Sequence, residues 1–356
     1  MIFFLITLGL WFVGFAVFWR LPIPRGTPNP GAYPSLSIVI PARNEATNLP
    51  ALLRSILSQS VQPLEVIVVN DGSTDRTAAV AREFDVTVLE SLPLPDGWRG
   101  KTWACHQGAA LASGEVFLFL DADTWIEPGG LRKILDTYLA SGGALSVGPY
   151  HAVQRPYEQL SAFFNLAMTA GTGAFTLLGS ALPPRGLFGQ MLMVSRTDYL
   201  RVKGHEAVKN RTLENFALAR HFRAAGVPLR CYGGTGVLAF RMYPNGLKEL
   251  VDGWAKAFAS GAGGTARPLL FLIVAWMCGM FFALNLLAAQ PNGQSTGLYL
   301  LFALQLYAML RRIGSFRWVT ALFYPVALIF FCAVFAWSAI RSRGQVQWKG
   351  RIVDAD

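Results

Sequence analysis

An α/β domain built on a parallel sheet, carried between apolar helices that cross a membrane, is the architecture this sequence predicts. Three observations carry it. Between residues 36 and 260, short continuously apolar segments alternate with amphipathic ones, the pattern of strands covered by helices on both faces. The opening run "MIFFLITLGLWFVGFAVFW" holds no charged side chain and is about long enough for a bilayer. The composition, 53% hydrophobic and 15% charged with a mean hydropathy of +0.38, lies outside the soluble range.

The elements follow in order. Residues 1–20 lack a basic start and a small-residue cleavage site, and Arg20 and Arg25 come after them. That predicts an uncleaved anchor with the next domain on the cytoplasmic side. Five prolines make 21–35 a stiff linker. "LSIVIP" opens the α/β domain, 36–265, as a buried strand, with a helix over 45–58. "LEVIVVN" is a second strand, followed by "DGSTD" and a helix at 75–83. "VTVLE" is a third, and a helix at 102–112 leads into "VFLFL". The stretch 159–182 is apolar but interrupted by Gly and Thr. It reads either as an amphipathic helix in the membrane interface or as a buried helix. "GAGG" (261–264) is a flexible entry to the late apolar region, 266–342.

That region holds three runs, near 269–289, 295–310 and 318–340. Three full crossings would place the basic tail, 343–356, outside while "RRIGSFR" lies inside. The positive-inside rule disfavours this. One run, either the short middle one or the one broken by Pro325, is therefore re-entrant or interfacial, and the tail is cytoplasmic. The net charge of +10 sits largely beside the apolar runs, which suits an anionic membrane face and not nucleic acid. The late runs carry no internal acids, which argues against a transporter. The four cysteines have no metal-ligand spacing and are read as reduced and unpaired.

The chemistry lies at the strand ends, where open α/β sheets bind ligands. Three strands end in polar clusters: Arg43-Asn44-Glu45, Asn70-Asp71-Gly72 and Asp121-Ala122-Asp123. Two carboxylates at i and i+2 on an extended chain face one way and repel. A hard cation shared with substrate phosphates removes the conflict. Strand-end acids also cap helices, and Thr124 and Glu127 keep that alternative open. Asp71 is placed to accept a base N–H, with Asp75 as a helix cap. Lys101, at the start of a helix, meets a phosphate or a base carbonyl, or is a solvated surface lysine. His151, His205 and His221 show no metal spacing and read as structural, with His205 also a candidate for lining an acceptor pocket.

"IPARNEATNLPALLRSI", "VIVVNDGSTDRTAAVA", "GKTWACHQGA" and "FLFLDADTWI", in this order and spacing, resemble a family 2 glycosyltransferase over about 36–260. The resemblance implies a nucleotide-diphospho-sugar (Rossmann-like, GT-A type) domain and an inverting transfer from a UDP-sugar with Mn²⁺ or Mg²⁺. It implies that Pro41, Ala42, Glu45 and Asp71 frame the uracil and that Lys101 sits near the nucleotide. Asp121 would reach ribose or metal, and Asp123 would bind the metal. Downstream, "GPYHAVQRPYEQLSAFFNL", "LENFALA", "AFRMYPNGLKELVDGWAKAFASGAGG" and "VQWKGR" are similar to membrane enzymes of this family that esterify a C30 carotenoid carboxylate with glucose from UDP-glucose. That likeness spans nearly the whole chain and implies a cytoplasmic-membrane location.

One departure matters. Where many relatives carry a Glu-Asp pair whose Asp is the general base, this chain reads Glu214-Asn215. Either Glu214 is the base, or little base is needed. General-base help to a hydroxyl is worth ~10²–10⁴-fold. A carboxylic acid, with a pKa of about 4, is already an anion. A Gln-x-x-Arg-Trp motif of many relatives is absent. "DGWAK" lies in its place, so Trp254 and Lys256, with Arg241 nearby, are candidates for leaving-group or acceptor contacts. The apolar stretch 159–182 offers either a groove open to the bilayer or plain core. The expected activity is hexose transfer from a UDP-sugar to a lipid acceptor, most simply a carotenoid acid. The alternatives are a hydroxyl lipid acceptor, or a nucleotide-sugar-binding membrane protein without turnover.

Overall fold

The structure, a computed structural model, describes residues 1–27, 32–179, 183–211, 213–261, 265–341, 346–348 and 351–353. Helix α1 (Ile2–Val17) leads into an alternating half: β1 (Leu36–Ala42), α2 (Leu49–Leu57), β2 (Glu65–Asn70), α3 (Thr77–Ala81), β3 (Thr87–Glu90), α4 (Gly100–Leu111) and β4 (Val116–Leu120). Strand β1 lies between β2 and β4, and β3 flanks β2, all parallel. This is the half that the apolar alternation predicts. The register sets Pro41 beside Val69 and Ala42 beside Asn70, so two of the polar tips are neighbours.

The chain continues through β5 (Thr124–Ile126), α5 (Gly130–Ser141), β6 (Ala144–Gly148), β7 (Tyr150–His151), α6 (Ala162–Gly171), β8 (Met191–Ser195), α7 (Arg196–Arg201), α8 (Glu214–Ala224), β9 (Leu229–Gly233) and β10 (Leu238–Phe240). Here the parallel-sheet expectation needs correction. Strand β8 sits between β4 and β6, antiparallel to both, giving a mixed seven-stranded sheet of order β3-β2-β1-β4-β8-β6-β9. The chain enters β8 from the strand-tip side, where the Asp121 N–H donates to the Gln190 carbonyl at 2.9 Å, so β8 runs back down. A second sheet, β5-β10-β7, stands beyond the tip of β4.

Successive β1 side chains alternate between two cores. Ile38 and Ile40 pack with Leu49, Leu52, Leu53 and Leu135 on one face. On the other, Val39 joins Phe117, Phe119 and Leu218 in a cluster that runs on without a break into Trp254, Trp276, Phe302 and Phe331 of the late helices. Those helices are α9 (Leu247–Gly261), α10 (Arg267–Ala289), α11 (Gly293–Ile313), α12 (Trp318–Leu322) and α13 (Tyr324–Arg341), and the backbone ends in β11 (Val346–Trp348) paired with β12 (Arg351–Val353). The α6 stretch resolves to the buried alternative. Phe163 and Phe164 are fully buried, and Phe164 stacks on Trp254 at 4.8 Å and meets Phe331 edge-on at 4.9 Å.

Helices α1 and α10 approach closely at small residues: a Cβ on Gly14 would lie 2.5 Å from Trp276 Nε1, and one on Gly279 would lie 2.6 Å from Leu10 Cβ. Gln305 of α11 ties all three helices, accepting from Trp276 Nε1 at 2.8 Å and donating to the Trp11 carbonyl at 2.9 Å. Among the described residues, α10 is the one helix long and apolar enough to cross a membrane, and Ile2–Val17 and Tyr324–Ser338 are apolar but shorter. The expectation of several spanning helices is thus met by length and composition in α10 alone. The 315–341 segment has both ends on the α/β domain. Arg317 N–H donates to Gln159 at one end, and Ser338 Oγ donates to the Ala255 carbonyl at the other. Between them the Tyr324 hydroxyl reaches the Met280 carbonyl, partway along α10. The segment thus leaves the domain and returns to it, the course that a re-entrant hairpin would take.

The proline-rich segment is not a free spacer. The Pro22 carbonyl accepts from Gly233 N–H at 2.7 Å, Arg25 N–H donates to Thr137, and Thr27 N–H and Tyr33 hydroxyl both donate to the buried Asp136 carboxylate. Upstream, Trp19 N–H donates to the Phe175 carbonyl. The anchor is thereby fastened to the domain. Residues 28–31 of this segment, 262–264 of the Gly-rich entry and much of the tail lie outside the described residues.

Candidate active site

Lys101 is the second residue of α4. Its ammonium lies 2.7 Å from Asp121 Oδ1 at the tip of β4 and 3.0 Å from Glu214 Oε1 at the start of α8, and it donates to the Gly189 carbonyl at 2.9 Å. Three acceptors meet three N–H donors. Burial alone would lower the lysine pKa, but the Asp121 and Glu214 charges outweigh it and hold the group above the ordinary lysine range. Lys101 is thus a permanent cation between two carboxylates, not a solvated surface group.

Asn215 Nδ2 donates to the same Glu214 Oε1 at 3.0 Å, and both side chains are buried. Glu214 also stands at the N-terminus of α8, where the helix dipole favours a negative charge. One turn after Lys101, buried Cys105 has its thiol pushed up first by burial. The charges of Glu214, Asp121 and Asp71 add to this, while Lys101 opposes it. The carboxylates of three separate chain segments therefore converge on the α4 start.

Asp123 follows in the turn to β5. The buried Tyr243 hydroxyl is held above its usual range first by burial and then by the charges of Asp123 and Glu249, which places Asp123 toward α9. The capping alternative for the two acids is not realised. Helix α5 begins after Gly129 with no side-chain cap, and Glu127 accepts from Trp125. Across the neighbouring tips, Asp71 N–H donates to the Ala42 carbonyl, and Arg43 donates to the carbonyls of Asp71 and Gly72. Glu45 accepts from Asn48, and its N–H donates to Thr77. Asp75 accepts from the N–H of Thr77, the first residue of α3, but Arg76 and not Asp75 occupies the N-cap position. Pro41, Ala42, Glu45 and Asp71 thus share one interlocked corner beside Lys101 and Asp121.

Other candidates lie elsewhere. Arg241 is paired with the buried Glu158 carboxylate at 2.6 Å, so its charge is already matched. Trp254 is fully buried, donates to Ser161 Oγ at 3.0 Å and stacks on Phe164, which makes it packing with only an edge on the cleft. His205 does not line an acceptor pocket. It is buried behind Lys101, bonded to the Tyr199 hydroxyl at 2.9 Å and packed on Phe119. The Lys256 side chain lies outside the described residues.

Two contributors escape sequence reasoning. Gly189 supplies a carbonyl to Lys101, and a Cβ there would lie 3.2 Å from Asn215 Nδ2, so a side chain at this position would crowd the Asn215 amide. Gln190 holds the β4 tip. A lone Gly before an apolar strand was the only sequence signal. On the other side of Gln190 lies a small cleft, lined by Phe188, Gln190, Met242 and Trp254 among others.

Among the described residues no group of three or more His, Cys, Asp and Glu could cage a metal, and Asp121 Oδ1 is engaged by Lys101. A hard cation of the Mg²⁺ type needs only one or two carboxylates when diphosphate oxygens complete its shell.

Residues 37–162 match Glycosyl transferase family 2. The chain is 36% identical over 329 residues to the 4,4'-diaponeurosporenoate glycosyltransferase of Staphylococcus aureus strain MRSA252, covering 89% of this chain and 88% of that protein. The same values hold for the protein of that name from strain USA300. Among solved structures, the chain is similar to a mannosyltransferase from Pyrobaculum calidifontis in complex with GDP-Man and Mn²⁺. The TM-score is 0.54 at 19% identity, covering 94% of this chain and 99% of that chain. At that identity the likeness bears on the fold.

Proposed function

Because the chain belongs to glycosyl transferase family 2 and is a hexosyltransferase, we propose that it moves glucose from UDP-glucose to the carboxylate of a carotenoid acid such as 4,4'-diaponeurosporenoate. The reaction takes place at the cytoplasmic face of a membrane. One observation supports the acid acceptor above the others. The carboxylate available as a base, Glu214, has its Oε1 engaged by both Lys101 and Asn215. Two donors fill the lone-pair sites of that oxygen. A hydroxyl acceptor needs such a base, whereas a carboxylate does not.

The step then balances without proton transfer. A carboxylate oxygen attacks the anomeric carbon from the face opposite the diphosphate. The bond from that carbon to the diphosphate oxygen breaks, its electron pair leaves with UDP, and the configuration inverts. The corner of Pro41, Ala42, Glu45 and Asp71 receives the uracil, and Asp121 faces the ribose. Asp123 would hold Mn²⁺ or Mg²⁺, which supplies charge neutralisation to the departing diphosphate. Lys101, kept protonated, adds a fixed positive charge beside the leaving group.

The test is an incubation of detergent-solubilised protein with UDP-glucose and Mn²⁺ or Mg²⁺, offering a long polyene carboxylic acid in parallel with its alcohol. Glucosylated product, detected by mass, is expected from the acid. Product from the alcohol alone would overturn the acid reading in favour of a hydroxyl lipid acceptor.

A further inference from the structure

The cleft near Gln190 has a neighbour. Leu21 and Arg312 form part of the cleft's wall, and these two residues also line a larger groove between the end of α1, β9 and the end of α11. The groove has an apolar floor that includes Phe15, Phe18 and Met309, and Arg20, Arg25, Arg230 and Arg312 stand around it with no carboxylate among the described lining residues. In the cleft itself, Arg312 is the one charged residue among the described lining. Groove and cleft thus adjoin at Leu21 and Arg312, a neck whose one charged residue is Arg312. Arg312 is fixed there, donating to the Trp19 carbonyl at 3.0 Å, while its own carbonyl accepts from Thr235.

We propose that this groove and neck are the entry path of the acceptor, and that Arg312 is the residue that selects a carboxylate-bearing chain over its neutral counterpart. The inference rests on the acid-acceptor reading above and deepens it. An amphiphile with a long apolar body and one anionic end matches the groove in both respects: the body lies on the aromatic and aliphatic floor, and the head meets the arginines. A guanidinium offers a planar fork suited to a carboxylate. At the neck, the anion leaves water for a cleft of low polarity. An alcohol gains nothing from Arg312 there, whereas a carboxylate gains a charge-assisted bond. Arg312 is assigned no part in breaking or forming bonds. It determines which head group arrives.

The test uses the full chain in detergent and the variants Arg312→Gln and Arg312→Lys. Binding of a long polyene carboxylic acid, read from its absorbance shift, is measured separately from turnover. Arg312→Gln is expected to weaken acid binding and raise its KM by about tenfold or more, the loss of one charge-assisted bond. The kcat and UDP-glucose binding should stay within about threefold. Binding of the corresponding alcohol should not change. Arg312→Lys should recover most of the acid affinity. Equal loss in both variants, or equal loss for acid and alcohol, would overturn the selective role and leave Arg312 as a structural tie to Trp19. Arg312-dependent acid binding by a protein that never glucosylates the acid would sink the proposed reaction and keep the path. Turnover of the acid indifferent to Arg312→Gln would do the reverse.

Discussion

Lys101 shows what a single side chain decides here. It separates the Asp121 and Glu214 carboxylates, so Lys101→Ala leaves two acids facing each other. Removing one partner of a buried ion pair costs ~3–5 kcal/mol. Because Lys101 is about a quarter exposed, screening reduces this to roughly 1–3 kcal/mol, measurable by thermal unfolding, and turnover should fall by more than tenfold. Asp123→Ala is expected to abolish metal-dependent turnover, with unfolding little changed, and normal activity would remove the metal assignment. Glu214→Gln should cost little with a carboxylate acceptor and much with a hydroxyl, and equal losses for both would contradict the reading of Asn215. Two buried imidazoles set the acid limit. His205 is held down to about 3 by burial first and then by Lys101 and His106. His151 is held down to about 4 by burial first, which outweighs the opposing charge of Glu158, with a smaller contribution from Arg241. Both stay neutral in the fold while the unfolded chain takes protons below its ordinary value near 6.5. Stability is therefore full above that pH and lost as pH falls toward 4, by about 1.4 kcal/mol per pH unit for each group. A flat melting profile between pH 6.5 and 4.5 would contradict this. Asp121, Asp123 and Lys101 were legible because strand, acid and helix start fall in one local pattern. The partners of Arg241, Trp254 and His205, which are Glu158, Ser161 and Tyr199, were not legible, because they come from positions that no spacing rule connects to them.

Among the elements, the parallel half was readable because each strand is a continuous apolar run bounded by polar turns. The direction of β8 was not. "MLMVS" is as apolar as its neighbours, and only the return of the chain from the tip side sets its orientation. The proline-rich segment illustrates the same limit. Its composition speaks of stiffness, while its attachment depends on Asp136, a residue of α5 that looks like an ordinary surface acid. Asp136→Ala removes the acceptor for Thr27 N–H and Tyr33 hydroxyl. At ~1–3 kcal/mol for a buried donor left unmade, it should lower the melting temperature and open the 21–35 segment to limited proteolysis. In the helical layer, Gln305→Leu deletes the tie between α1, α10 and α11. An intramolecular hydrogen bond contributes about 1 kcal/mol net, so a small loss of stability is expected.

At the scale of the whole molecule, one apolar cluster runs from the sheet through α6 into the late helices. The sequence divides into anchor, linker, domain and membrane region, but the packing does not respect those divisions. Deleting residues 1–20 should consequently do more than detach the protein from membranes. It strips the cover from α10 and removes Trp19 from Phe175 and Arg312, so the truncated chain should lose acceptor turnover and unfold at lower temperature even in detergent. Retained turnover with only membrane release would restore the picture of an independent tether. The re-entrant shape of 315–341 carries its own check. A C-terminal tag should be cleaved from the same side of sealed vesicles as the α/β domain, and an N-terminal tag should be protected. The fastening of residues 21–27 to Gly233 and to α5 has one more effect. It fixes the height of the catalytic corner above the end of α1, so the protein acts as a gauge of molecular reach. A chain whose head group rises to that height can react, and one cut a few carbons short, however similar its chemistry, should remain below the neck.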